Sequence, residues 1–135
     1  LRLTHESQSL STSDLEAILA IESRVAHPIA RSIVSHYAGR SNLTLPQVSE
    51  LTLLPGRGVR ARVQNHVYEI VSCENANLKA DLSPAYSSAL VIWVDLLRDG
   101  EKLTTLGFED EVRAETTSIL TQLKNWGHRL WILSG

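Results

Sequence analysis

The stretch ALVIWVDLLRDGEKLTTLGF, Ala89 to Phe108, reads as two β-strands joined at Asp99-Gly100. An Asp-Gly pair between two apolar runs is a strong hairpin signal, because both central residues of the favoured tight turn need positive φ. The run from Leu90 to Leu96 is too continuously apolar for a strand wetted on one side, so it belongs in the centre of a sheet. Upstream, QVSELTLLPGRGVRARVQNHVYEIVS (47–72) alternates apolar with polar residues. Val59, Ala61 and Val63 share one face, followed by Val67 and Ile70, with Gln64-Asn65 as a second tight turn. The segment NANLKADLSPAYSSA between these regions reads as helix or loop. The middle of the chain is therefore an antiparallel sheet.

Ahead of the sheet lie two helices. In STSDLEAILAIES, Ser13 with Glu16 three residues later forms a capping box, and Leu15, Ile18 and Leu19 share a face. Pro28 cannot continue that helix, since it lacks an N–H and its ring clashes with the carbonyl four residues back. It is well placed as the first residue of a new one. One helix ends near Glu22 to Arg24, Val25-Ala26-His27 form a corner, and a second helix runs from Pro28 to about Ala38. Ile29, Ile33, Val34 and Tyr37 are its buried stripe and Gly39 its C-terminal cap.

After Phe108 the period changes. Val112, Thr116, Ile119, Leu123 and Trp126 recur at helical spacing, Gly127 ends the helix, and RLWIL reads as a buried strand. Strand, helix and strand with short links predict a right-handed parallel unit. The expected class is thus α+β: an antiparallel β-sheet flanked by helices over residues 1–102, followed by a β-α-β fragment over 103–135.

Totals exclude several functions. A net charge of -2 with both signs interspersed argues against nucleic acid or an anionic membrane as partner. Cys73 is the single cysteine, which leaves no disulfide framework and no cysteine-based metal site, and fits a reducing compartment. No apolar run approaches the roughly 20 residues that span a bilayer. Arg57, Arg60 and Arg62 form the one local basic cluster, explained equally by a solvated strand face and by a phosphate contact.

Three features carry chemical information. Glu22 precedes His27-Pro28 by five residues. An imidazole offers a flat ring with a donor and an acceptor, and a carboxylate accepts from an exocyclic amine, a combination that suits a purine. Against it stands the plain reading of His27 as a capping or packing residue. Gly56 and Gly58 flank Arg57 before a strand, where missing side chains let backbone approach a ligand, or simply make a turn. Asp110 and Arg113 open the last helix, and Ser134 ends the last strand, where parallel sheets bind ligands.

In order and spacing these features resemble the cytosolic part of a heavy-metal-transporting, copper-type (type IB) P-type ATPase. That family's nucleotide-binding domain carries a Glu, four residues, then His-Pro in a run like Ser-Glu-His-Pro-Leu-Ala-x-Ala-Ile, and E-SRVA-HPIARSI keeps the spacing. GRGV matches its Gly-x-Gly-Val. DEVR, LKNWG and LSG match, in order, landmarks of its phosphorylation domain. Residues 1–102 would then be the nucleotide-binding (N) domain, and 103–135 the start of the second half of a haloacid-dehalogenase-like phosphorylation (P) domain.

The resemblance implies that Glu22 and His27 hold the adenine side of ATP, that Gly56 and Gly58 line the nucleotide, and that Ser134 contacts the transferred phosphoryl group. No residue here is implied to bind the transported metal; the cofactor is ATP with Mg2+. The implied partners are ATP or ADP and the rest of the parent chain: remaining P-domain, actuator domain and membrane helices. The fragment would be a cytosolic domain of an integral membrane protein. The phosphorylated Asp-Lys-Thr-Gly-Thr segment is expected before Leu1 and a further Asp after Gly135, so the chain alone should bind ATP without turnover. Two departures stand out: Val25 and Ala26 replace the Ser-Glu before His-Pro, and Val71 replaces a glycine. Ser134-Gly135 in place of Thr-Gly points to copper as cargo. The alternatives are a haloacid-dehalogenase-like phosphatase with an antiparallel cap, and a protein-binding module with His27 merely packed.

Overall fold

In the computed structural model, residues 1–40, 42–73, 91–110 and 114–131 are described. Six strands form one antiparallel sheet: β1 (Arg2–Glu6), β2 (Val48–Leu54), β3 (Gly58–Val63), β4 (His66–Ser72), β5 (Val91–Arg98) and β6 (Glu101–Glu109). Their spatial order is β1-β6-β5-β4-β3-β2, so each strand from β2 to β6 lies beside its sequence neighbour and β1 closes the far edge against β6. Two helices, α1 (Thr12–Glu22) and α2 (Pro28–Tyr37), follow β1 in sequence and pack on each other and on the sheet, α2 against β1 and α1 against β2.

Turn chemistry sets the register. Asp99 (φ 52°) and Gly100 (φ 83°) both take left-handed backbone between β5 and β6, as the hairpin reading requires. Gln64 (φ 54°) and Asn65 join β3 to β4, pairing Val63 with His66. That pairing inverts one expectation. Across a two-residue turn, Val67 stands opposite Arg62 on the outer face, and Tyr68 and Ile70 point to the core with Val59, Ala61 and Val63.

β5 is central, between β4 and β6. Val94 and Leu96 are buried under the helices, while Trp93 is half-buried on the opposite face above Gly107. A Cβ on Gly107 would lie 2.6 Å from that indole, so Gly leaves the ring its seat. The core comprises Leu15, Ile18, Ile21, Ile33, Tyr37, Leu96, Leu106 and Phe108, all essentially inaccessible. Each aliphatic or Phe side chain among them contributes about 1.5–3 kcal/mol relative to exposure.

The start of α1 differs from the Ser13–Glu16 box. Ser11 is the N-cap, accepting from the Asp14 amide at 3.2 Å, because the chain enters the helix two residues earlier. Glu16 is thereby released and accepts from the Thr44 amide at 2.7 Å. Asp14, in the first turn, receives hydrogen bonds from Tyr68 Oη (2.9 Å) and Arg98 Nη1 (2.9 Å), which fastens α1 to β4 and β5. α2 begins at Pro28 as expected. Its stripe is partly exposed: Ala30, Ile33 and Tyr37 are buried, while Ile29 and Val34 are half-buried. Ala38 is the C-cap; Gly39, the next residue, is not left-handed.

The C-terminal part departs most from expectation. β6 is one strand from Glu101 to Glu109, paired with β5 along its length and with β1 from Leu106 to Glu109, so a division at 102/103 would cut it. α3 (Ala114–Asn125) ends in a Schellman arrangement, with Gly127 at φ 84°, its amide on Lys124 O and the His128 amide on Leu123 O. Ile119 (53% exposed) and Trp126 (72%) are not buried. Residues 128–131 form no strand, and Trp131 is 82% exposed. A strand exists only against a neighbour, and neither sheet edge pairs with these residues. Of the expected β-α-β unit, the described residues supply the helix, while its first strand belongs to the antiparallel sheet. The 74–90 segment, Val112, Arg113 and Ser134 lie outside the described residues.

Candidate nucleotide pocket

The corner between α1 and α2 is built by backbone. Ser23 caps α1, and the Arg24 and Val25 amides bond Ile21 O and Glu22 O at 3.0 and 3.1 Å, which tightens the turn. Arg24 Nη1 reaches Val48 O of β2 at 3.2 Å and ties the corner to the sheet edge. His27 is the N-cap of α2: its backbone is extended (φ -124°, ψ 146°) and its Nδ1 accepts from the Ile29 amide at 3.3 Å. The capping reading of His27 is therefore correct as far as Nδ1 goes. An accepting Nδ1 carries no proton, so the ring proton resides on Nε2. What remains for a ligand is one donor and a flat, solvent-exposed ring.

Opposite the corner, β2 turns into β3 through Pro55-Gly56-Arg57. The turn is held by the Arg57 amide on Leu54 O (2.9 Å) and by the Ser72 amide on Arg57 O (2.7 Å). Gly56 has φ 71° with open space where a side chain would stand. Gly58 is constrained differently. A Cβ there would sit 1.9 Å from the Ile70 carbonyl oxygen, so the neighbouring strand alone already requires this glycine.

Corner and turn face each other across a cavity of about 480 Å³ whose lining includes Glu22, His27, Gly56 and Gly58. Four residues singled out from sequence thus surround one space. The size suits a small organic ligand, for which pockets of about 300–1,000 Å³ are usual. Val25, Ala26, Ile29, Leu53 and Leu54 supply apolar wall, so the two residues that replace Ser-Glu before His-Pro put apolar surface beside the ring. Ile70, Val94 and Val71 complete it from the sheet. Val71 keeps ordinary strand backbone, paired with Gly58 and Asp95, so its β-branch carries no positive-φ strain. Sequence reasoning missed the Leu53, Leu54, Ile70 and Val94 walls because apolar strand residues give no signal of facing a cavity.

Glu22 is 4% exposed, and no described residue offers its carboxyl a hydrogen bond or a counter-charge. Burial alone raises its pKa from 4.5 to about 7. Near neutrality the group is a mixture of acid and carboxylate, able to accept from an amine and, when protonated, to donate to a ring nitrogen. Among the described residues no group of three or more His, Cys, Asp or Glu side chains is arranged to hold a metal. No helix among them is long and apolar enough to cross a membrane.

The chain is 36% identical over 112 residues, 77% of its length, to a probable cobalt/nickel-exporting P-type ATPase of Mycolicibacterium smegmatis. It is 28% identical over 127 residues to the copper-exporting P-type ATPase B of Archaeoglobus fulgidus, covering 90% of this chain. Over the matched residues the chain is a homologue of heavy-metal P-type ATPases. It spans only 16% and 18% of the length of those two pumps. In fold the chain matches solved P-type ATPase N-domains. The crystal structure of the N-domain of HMA8, a copper-transporting P-type ATPase, superposes with a TM-score of 0.54 at 21% identity, covering 78% of this chain and 98% of that one. No protein-family model matches the chain.

Proposed function

We propose that this chain is the ATP-binding part of a heavy-metal-transporting P-type ATPase, a cytosolic portion of a membrane pump. In this reading it positions ATP for phosphoryl transfer to an aspartate elsewhere in the parent protein. One observation carries the reading: Glu22, His27, Gly56 and Gly58, distant in sequence, line a single cavity of ligand size. The purine would lie on the apolar wall with the His27 ring against it, its exocyclic amine on the Glu22 carboxyl. Gly56, lacking a side chain, leaves room for the sugar. Mg2+ would arrive with the phosphates. Ser134 would meet the transferred phosphoryl group.

Catalysis of phosphoryl transfer is mostly positioning and charge stabilisation, and this chain would supply the positioning. Without the acceptor aspartate it should bind ATP and release no phosphate. Because β6 is a single strand, the boundary expected at 102/103 is proposed to lie after it, and residues 1–110 would then be the N-domain, with α3 opening the P-domain. The two pumps compared differ in cargo, cobalt or nickel against copper, so the matched segment does not favour copper over other heavy metals. A phosphatase cap would have no use for a purine-suited corner, and no observation favours that alternative.

The test is titration of the chain with ATP while backbone amide shifts are followed. Resonances of Glu22, His27 and Gly56 are expected to move, with a Kd of about 0.1–1 mM; their silence at millimolar ATP refutes the proposal. His27→Asn is the informative variant. Asn is as good an N-cap as any residue, so α2 should persist while the ring, and with it binding, is lost.

A further inference from the structure

We propose that Arg57 is the residue that engages the phosphate groups of the bound nucleotide, an assignment that rests on the nucleotide reading above. Within the basic cluster, the structure separates the three arginines. Arg60 Nε lies 3.4 Å from Glu69, and Arg62 Nε 3.1 Å from Glu50, so both are paired along the outer face of the sheet. Arg57 has no ion-pair partner among the described residues, and it alone of the three lines the cavity that holds Glu22 and His27. No other Lys or Arg among the described residues does so.

Its placement is fixed while its side chain is free. Hydrogen bonds on both sides of the residue, to Leu54 O and from the Ser72 amide, pin the backbone, and the side chain is exposed at the mouth. A guanidinium presents several N–H donors in a planar fork that matches phosphate oxygens. Apart from Arg57 at the rim, the only polar side chains among the described lining residues are Glu22, His27 and Ser72, so a base can be buried there but three or more negative charges cannot. The polyanionic end must leave toward solvent, and the cation at the rim meets it there.

The experiment compares adenosine, AMP, ADP and ATP on the chain, at low and at high salt, for the wild type, Arg57→Gln, Arg57→Lys and Arg60→Gln. The wild type should bind ATP about fivefold more tightly than adenosine at low salt, an advantage that shrinks as salt screens it. Arg57→Gln should bring ATP down to the adenosine level and leave adenosine unchanged; Arg57→Lys should keep most of the advantage, and Arg60→Gln all of it. If adenosine binds and ATP gains nothing over it, or Arg57→Gln keeps the gain, the proposal falls while the base site stands. If neither adenosine nor ATP binds, the nucleotide reading falls and takes this one with it.

Discussion

Replacing Glu22 by Gln should make the protein more stable, and only above acid pH. The carboxyl is 4% exposed with no described partner, and its pKa rises from 4.5 to about 7 through burial. Between those values the folded protein holds the proton more firmly than the unfolded chain, so the unfolded form binds fewer protons and stability falls as pH rises. The loss is complete once pH passes the folded value. At about 1.4 kcal/mol per pH unit, the gap amounts to about 3 kcal/mol, most of it spent between pH 5 and 8. Gln copies the shape of the protonated acid and cannot ionise.

Urea unfolding of both proteins, followed by tryptophan fluorescence, measures the difference. At pH 4 the two should nearly coincide, and at pH 8.5 Glu22→Gln should be more stable by about 3 kcal/mol. Other titrating groups cancel, being common to both. Parallel curves across that range would refute the reasoning, because they would mean that the carboxyl ionises in the fold as easily as in the open chain.

Two further outcomes follow from backbone geometry. Gly58→Ala should cost about 3 kcal/mol or more, since its methyl would overlap the Ile70 carbonyl, whereas Gly56→Ala meets only the left-handed penalty of about 1 kcal/mol. Chemical denaturation ranks the two, and equal costs would contradict the close strand approach. Ser11→Ala should lose about 1 kcal/mol with the α1 cap, while Ser13→Ala stays within about 0.5 kcal/mol, readable as a difference in unfolding midpoint.

Local chemistry made much of this legible beforehand. Asp99-Gly100 and Gln64-Asn65 announce their turns, Pro28 announces a new helix, and the Glu22–His27 spacing led to the cavity. Failures came where tertiary neighbours decide. Ser11 and Ser13 are equivalent as caps in isolation, and Ser11 acts because Asp14 is drawn toward Tyr68 and Arg98. At Gly58 the sequence did not show the constraint set by a strand twelve residues on, invisible until β3 and β4 are in register. Arg57, Arg60 and Arg62 differ only in which way the strand or turn points them. The length of β6 was hidden for a similar reason: its second half is held by β1, a neighbour in the sheet but far away in sequence.

That pairing has a mechanical side. β1 and β6 are neighbours, and the Leu1 nitrogen lies 3.6 Å from the Asp110 carboxylate, so the start of β1 and the end of β6 share one corner of the sheet. Force that parted those two residues would open the β1–β6 ladder like a zip, one pair at a time, beginning with Arg2 and Glu109.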